Sequence, residues 1–318
     1  MWFIGPAAIS YLALGLMASG FPVLYVQLVW FFCVDGPHVH ATVTRTYFDK
    51  AERARLGRYL WIPLPLLLVG PLMALAGHAA LFFLFAVCWQ QVHIVKQHFG
   101  FVMLYKAKNR ERDRTDFLLD RWFLLTSLFV PLGLFLLRTN PALHAIAAQA
   151  WITGVGIGAY GILVAAWALR QVQKFRTGSQ MNWPKVGLLL AVVPLQWLAL
   201  LHASQNGPGG IIRAGIILGL FHSFQYHRLI WFHNRNRYAD PEAVERNGMA
   251  VSLASNLAIY LTLAIGLNFL LSFLPAALYP SEVVQAALWG WAFTHYCLDS
   301  RIWRVRSDKG LATALRIA

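Results

Sequence analysis

Apolar and polar positions along this chain fall into long blocks. Nine blocks are rich in apolar residues over roughly 20 positions, the length that an α-helix needs to cross the apolar core of a bilayer. The pattern predicts an all-α, polytopic membrane bundle of about nine transmembrane helices that forms a single domain over residues 1–318. The predicted spans are 3–33, 60–76, 79–99, 118–137, 144–169, 186–203, 211–232, 250–273 and 283–303.

The second and third blocks are separated only by Gly77 and His78, which predicts a tight helical hairpin. The second block is short and contains Pro63, Pro65 and Pro71. A short segment of this kind can enter and leave a membrane on one side where protein surrounds it, so the block either spans the bilayer or is re-entrant.

Composition points to a lipid environment. Hydrophobic residues make up 58% of the chain and charged residues 13%, whereas a soluble domain carries about 25% charged residues. The mean hydropathy is +0.53. A water-soluble fold has no means of covering this much apolar surface, so lipid is expected to cover it.

Lysine and arginine gather in every second connection between the blocks. They follow the first, third, fifth and seventh spans and fill the tail after the ninth, whereas 204–210 and 274–282 contain none. This positive-inside pattern predicts an N-terminus outside, a cytoplasmic C-terminus and a location in a bacterial inner membrane. The net charge of +14 is therefore assigned to topology and to anionic lipid headgroups rather than to nucleic acid.

Most of the eleven histidines fall at one side of the predicted bundle. His78, His144 and His202 lie at its outer side, and the other eight lie at the cytoplasmic ends of the first, third, seventh and ninth spans. One histidine near a helix end is commonly an interfacial or packing residue. Four helices that present imidazoles at one depth favour a shared site. The eight are His38, His40, His93, His98, His222, His227, His233 and His295.

Two of these helices carry the same spacing, His93 to His98 and His222 to His227, with a glutamine inside each. Positions i and i+5 diverge by about 140° on a regular α-helix. Either a π-bulge brings the two histidines together, or one is a metal ligand and the other supports it.

Imidazole is a neutral ligand suited to iron, copper and zinc. The predicted metal ligands are His38, His40, His93, His98, His222, His227 and His295, with His38, His98, His222 and His295 as the leading set of one per helix. Four ligands predict one metal ion, and all seven predict two. His233, within a basic run, is left out. The residues expected to orient these ligands are Asp35, Gln97, Gln225 and Asp299.

In this organisation the chain resembles the membrane-embedded, histidine-ligated non-haem iron proteins, which include fatty-acid desaturases and hydroxylases, alkane monooxygenases and bacteriorhodopsin-related carotene dioxygenases. The fragments that carry the resemblance are His38-Val-His40, His93 to His98 and His222 to His227. The resemblance implies an iron-dependent oxygenase, hydroxylase or desaturase that acts on a hydrophobic, lipid-like or isoprenoid substrate. No dinucleotide-binding fingerprint is present, so the reductant is expected to come from an electron-donor protein.

Two other classes stay open at this point. Histidines on facing helices can ligate haem axially, which suits a quinol-linked cytochrome or a haem-modifying enzyme. Histidines can also line a transport path and relay protons. A Soret band distinguishes haem from non-haem iron, and uptake into proteoliposomes identifies a transporter.

Overall fold

The chain folds almost entirely into helices. The computed structural model describes residues 3–140, 149–254, 256–305 and 308–317, and no β-strand occurs in these ranges. The α-helices are α1 (Pro6–Ala18), α2 (Val23–Val29), α3 (Gly36–Thr46), α4 (Lys50–Leu56), α5 (Pro63–Leu75), α6 (Ala79–Lys108), α7 (Arg114–Thr139), α8 (Gln149–Arg176), α9 (Trp183–Ser204), α10 (Gly210–Arg237), α11 (Ala243–Asn247), α12 (Met249–Ala254), α13 (Leu257–Asn268), α14 (Leu274–Leu278), α15 (Glu282–Ile302) and α16 (Lys309–Ala314).

Six helical segments in the described residues are long and apolar enough to cross a membrane. This supports the coarse prediction of an all-helical protein compatible with integration into a bilayer. The six segments are Lys50–Leu75, Ala79–Lys108, Arg114–Thr139, Ala150–Arg176, Trp183–Ser204 and Leu257–Leu278.

The other three predicted spans differ from this group for physical reasons. The first is interrupted between α1 and α2, where Gly20 adopts a φ of 88° and Pro22 follows. The seventh and ninth correspond to α10 and α15, which are long enough to cross but more polar than the six. Four arginines contribute to the polarity of α10, beside its candidate site residues His222, Gln225 and His227. The candidate site residues of α15 are His295 and Asp299.

The predicted hairpin around Gly77 is confirmed. Helix α5 ends at Leu75 and α6 begins at Ala79, and Gly77 has a φ of 79°, a conformation that glycine adopts without steric cost. Helix α5 alone contains 13 residues and rises about 20 Å, less than the roughly 30 Å of a bilayer core. The segment Lys50–Leu75 is long enough only because α4 and a 3-10 turn at Gly57–Trp61 precede α5.

Two π-helical turns occur, but neither lies in a histidine segment. The segments from His93 to His98 and from His222 to His227 are regular α-helix, which leaves the second alternative, one ligand and one supporting histidine per helix. The π turns are Trp30–Asp35 and Phe269–Phe273, and each ends two residues before a proline, Pro37 and Pro275. Proline lacks an N–H and its ring clashes with the preceding turn, so a wider turn lets the helix continue past it.

The fold consists of two compact units, and each is described separately. The first comprises residues 1–26 and 91–222, and the second comprises residues 27–90 and 223–318. In the first unit α9 packs on α7, α7 on α8, and α1 on α9. Part of its apolar core is formed by Leu132, Phe135, Leu200, Ala203 and Ala214.

In the second unit the most extensive helix pair is α5 with α15. A Cβ atom added at Gly290 would lie 2.7 Å from both the carbonyl oxygen of Leu66 and Cα of Leu67. Absence of a side chain at Gly290 therefore allows the two backbones to approach, as small residues commonly do between membrane helices. Phe82, Ala86, Ala286 and Phe293 fill the adjoining core.

Substitution of Gly290 by alanine is expected to destabilise the protein, because the methyl group meets backbone atoms of α5 that have no room to move. Overpacking of this kind costs about 1–3 kcal/mol. Gly133→Ala in α7 is the matched control, since nothing lies within 4 Å of its added Cβ. Thermal unfolding in detergent checks both; an unchanged melting temperature for Gly290→Ala would contradict the packing described.

Candidate metal centre

Three helices of the second unit present the polar side chains of its candidate site. Helix α3 carries His38 and Thr42 one turn apart, and α15 carries His295 and Asp299 with the same spacing. Residues four apart lie on one helix face, so each pair points in a common direction. Helix α10 contributes Tyr226.

The start of α3 is set by the first π turn. The carboxamide of Asn268 donates hydrogen bonds to the carbonyl oxygens of Phe31 and Phe32, at 3.0 and 3.3 Å. A Cβ added at Gly36 would overlap the Asn268 side chain. Gly36 therefore allows Asn268 of α13 to pack against the start of α3, two residues before His38.

His38 and His295 form a buried pair. Their side chains belong to residues that are 3% and 1% exposed, and their ring centroids lie 4.8 Å apart with the planes at 88°. A ring nitrogen of His38 lies within 4.8 Å of a ring nitrogen of His295. Two ligand atoms on opposite sides of one ion are about 4.2 Å apart when each metal–nitrogen bond is about 2.1 Å, so the pair suits a common metal after small shifts.

A directional hydrogen-bond chain determines the tautomer of His295. Tyr226 donates its hydroxyl hydrogen to Oδ1 of Asp299 at 2.7 Å, so its oxygen accepts from Thr42, 2.8 Å away. The Thr42 oxygen then accepts from Nδ1 of His295 at 2.6 Å. Because Nδ1 carries the hydrogen, Nε2 carries the lone pair, and Nε2 lies 3.7 Å from Oδ2 of Asp299.

His38 is held in the same tautomer by different groups. Its Nδ1 donates to the backbone carbonyl of Asp35. Ser223 lies 3.1 Å from that nitrogen and donates its own hydrogen to Oδ1 of Asp35 at 2.7 Å. The lone pair of His38 is therefore also on Nε2, the atom that binds a metal when the other nitrogen is bonded to an oxygen acceptor.

The remaining predicted ligands of this unit have other surroundings. His227 uses both ring nitrogens: Nδ1 pairs with the Tyr260 hydroxyl at 2.8 Å and Nε2 with the Val34 carbonyl at 3.1 Å. A ligand role for His227 requires loss of one of these bonds. His40 bonds Ser272 through Nε2 at 3.0 Å and packs edge-on against Trp291. Gln225 is fully buried.

The first unit contains a second histidine pair. The rings of His93 and His222 lie 4.9 Å apart with their planes at 80°. Gln97, expected to orient a ligand, donates its amide to the backbone carbonyl of His222 at 2.9 Å. His98 packs on Phe221, with ring centroids 5.3 Å apart. The leading set contained His98 and not His93, but the ring that packs against His222 is that of His93.

Several site residues were not predicted from the sequence. Thr42, Ser223 and Tyr226 form the hydrogen bonds that fix the two tautomers of the second unit. Thr42 could have been identified from its position four residues after His38, which places both side chains on one face of α3. Of the outer histidines, His78 is exposed, and His144 lies outside the described residues.

A scan against protein-family models, a search of curated proteins and a search of solved structures each gave no match for this chain. Inference about function therefore starts from the chemistry of the histidine pairs.

Proposed function

We propose that this protein is a membrane oxidoreductase that holds iron through histidines and acts on a hydrophobic, lipid-like or isoprenoid substrate. The observation that carries the proposal is the buried His38–His295 pair, with both rings held in the tautomer whose Nε2 lone pair can bind a metal. Simple packing does not require that both rings keep their Nε2 lone pairs available for a ligand.

The donor set of the second unit suits non-haem iron. Two imidazoles, His38 and His295, form this set, and Oδ2 of Asp299 lies 3.7 Å from Nε2 of His295, where it can support that ligand. Imidazole is a neutral ligand that suits iron, and two protein ligands leave coordination positions open. Bound iron would supply dioxygen activation, with electrons from a separate donor protein.

The protein's own residues would orient these ligands. Thr42 fixes the His295 ring, Tyr226 fixes Thr42 and Asp299, and Ser223 links His38 to Asp35. Hydrogen bonds to the outer nitrogen of a ligand histidine hold its ring plane and raise its basicity. The His93–His222 pair is the proposed ligand pair of the first unit, which allows one or two ions per chain.

Metal content and an optical spectrum test this proposal. We expect purified, folded protein to contain at least about one iron per chain and to lack a Soret band. A Soret band would show that the protein binds haem and would contradict the non-haem iron proposal. Less than about half an equivalent of iron, copper or zinc in folded protein would refute the metal site.

We further propose nine spans, an outer N-terminus, a cytoplasmic C-terminus and a bacterial inner-membrane location with the histidines on the cytoplasmic side. The support is the alternation of basic and uncharged connections along the sequence. In this arrangement α10 and α15 cross the membrane despite their polarity, because ionisable residues in spans face the protein interior.

Reporter fusions made in a bacterium test the topology. Alkaline phosphatase fused after Gly207 is expected to be active, whereas a fusion after Gly178 is expected to be inactive. A green fluorescent protein at the C-terminus is expected to fluoresce, because it folds only in the cytoplasm. The opposite activity at either loop would require a different number of spans.

A further inference from the structure

A cluster of buried charges lies in the first unit, where the ends of α6 and α8 meet the beginnings of α7 and α9. Lys185 is 0% exposed and Lys106 is 3% exposed, and both ammonium groups bond Oδ2 of Asp120, at 2.7 and 2.9 Å. Lys185 also contacts Glu111 at 2.8 Å. Full burial of these lysines is compatible with their charge only because carboxylates surround them.

A second layer of ion pairs lies beside this core. Asp116, which is buried, accepts from Arg170 at 2.7 Å and from Lys174 at 2.8 Å. Lys174 also reaches Glu111 at 3.3 Å. Burial favours a higher pKa for Glu111, but hydrogen bonds from Lys185 and Asn182 and the charges of Lys185 and Lys106 hold that pKa well below its ordinary value. Glu111 is thus ionised and already matched by cations.

A cavity of about 510 Å³ opens onto this second layer. Polar residue types line it, and its four cations are balanced in part by three carboxylates: Arg110, Arg112, Arg170 and Lys174, with Glu111, Asp113 and Asp116. Thr177 and Ser179 add two hydroxyl groups. The volume falls within the 300–1,000 Å³ typical of small-molecule sites.

Two cations at the rim of the cavity, unlike those of the inner cluster, have no carboxylate partner among the described residues. Arg110 and Arg112 are exposed, and neither forms an ion pair within the part of the chain that the structure describes. Arg110 adopts a φ of 52° because it ends α6 in a Schellman turn, in which the N–H groups of Arg110 and Glu111 donate to the carbonyls of Ala107 and Lys106. This turn places Arg110 at the rim of the cavity.

We propose that this cavity binds a phosphate-bearing anion. Guanidinium groups present paired N–H donors that match phosphate oxygens, and neighbouring hydroxyl and amide groups supply further donors. The shared chemistry is the phosphate group, which a lipid headgroup or a soluble phosphate compound can provide. The cavity wall contains none of the proposed metal ligands, so the proposal holds whether or not the protein binds iron.

Ligand titrations of purified protein in neutral detergent test this site. Thermal unfolding is followed while pyrophosphate is added in one series, phosphatidylglycerol in a second and phosphatidylcholine in a third. The variant is Arg110→Gln/Arg112→Gln. The control is Arg114→Gln/Arg121→Gln, which removes the same charge from exposed positions outside the cavity wall.

We expect a saturable rise in melting temperature with pyrophosphate, phosphatidylglycerol or both. The half-saturating concentration is expected to rise at least about tenfold in the cavity variant and to change less than about twofold in the control. A response to pyrophosphate alone identifies a soluble ligand, and a response to phosphatidylglycerol alone identifies a lipid. No saturable response to either, or an equal loss of binding in the control, would overturn the proposal.

Discussion

The His295→Ala protein is expected to retain at most about a tenth of the iron of the wild type. Residues that merely orient a ligand contribute 10–100-fold to metal affinity, and loss of a direct ligand costs more. His295 is 1% exposed, packs edge-on against His38 and carries its lone pair on Nε2. Because the position is buried, we expect no water molecule to replace the lost imidazole as a ligand. Iron per folded chain, measured after purification, checks the prediction.

Two companion variants make this measurement specific. His78→Ala removes an exposed imidazole from the hairpin after α5 and is expected to leave the iron content unchanged. Tyr226→Phe keeps the ring but deletes the hydroxyl that bonds Thr42 and Asp299, so its iron affinity is expected to fall by about 10–100-fold. Equal iron in all three variants would show that His295 is a packing residue.

Substitution of Asp120 by asparagine is expected to cause the largest loss of stability. Asp120 accepts hydrogen bonds from Lys106 and Lys185 and from the Trp167 indole at 3.0 Å. The neutral amide of asparagine removes one negative charge beside the buried ammonium groups of Lys106 and Lys185, and Glu111 is then their only carboxylate partner among the described residues. Breaking a buried ion pair by removing one partner typically costs about 3–5 kcal/mol. Unfolding in detergent measures the effect.

The control for Asp120 is Asp240→Asn. Asp240 pairs with Arg246 at 3.2 Å, but both side chains are exposed, and pairs of this kind contribute little. No resolvable change in unfolding is expected for Asp240→Asn. If both variants unfold alike, the buried cluster does not hold the first unit together.

Acid is expected to weaken the same cluster. The pKa of Glu111 is lowered in the folded protein, so its contribution to stability is fully present above its unfolded pKa. That contribution is lost as the pH falls through the lowered folded pKa. The contribution of Glu111 is therefore complete at neutral pH and declines progressively once the pH falls below the ordinary pKa of a glutamate, which unfolding measured in detergent at decreasing pH checks.

Hydrophobic patterning was sufficient to predict the helical class and most helices. The hairpin at Gly77 follows from two adjacent apolar blocks with a glycine between them. The break at Gly20 and the two π turns were not predicted. Pro37 and Pro275 are visible in the sequence, but whether a helix breaks or widens at a proline depends on distant partners. Here Asn268 satisfies the carbonyls of Phe31 and Phe32.

The candidate site could be predicted only by residue type. Clustering of histidines along the sequence placed His38 and His295 in the leading set and His227 outside it, but it gave no structural reason for that order. That distinction rests on hydrogen bonds to Tyr260 and Val34, far apart in the chain. Sequence spacing likewise cannot show that Thr42 and Tyr226 fix the His295 tautomer, because this depends on ring orientation in the packed protein.

X-ray absorption spectroscopy at the iron edge of the purified protein tests the proposed centre most directly. Coordination by His38 and His295 predicts a shell of nitrogen and oxygen ligands with the outer-shell scattering of at least two imidazoles, and a loss of that scattering in His295→Ala. A porphyrin signature, or iron with no imidazole scattering, would contradict it.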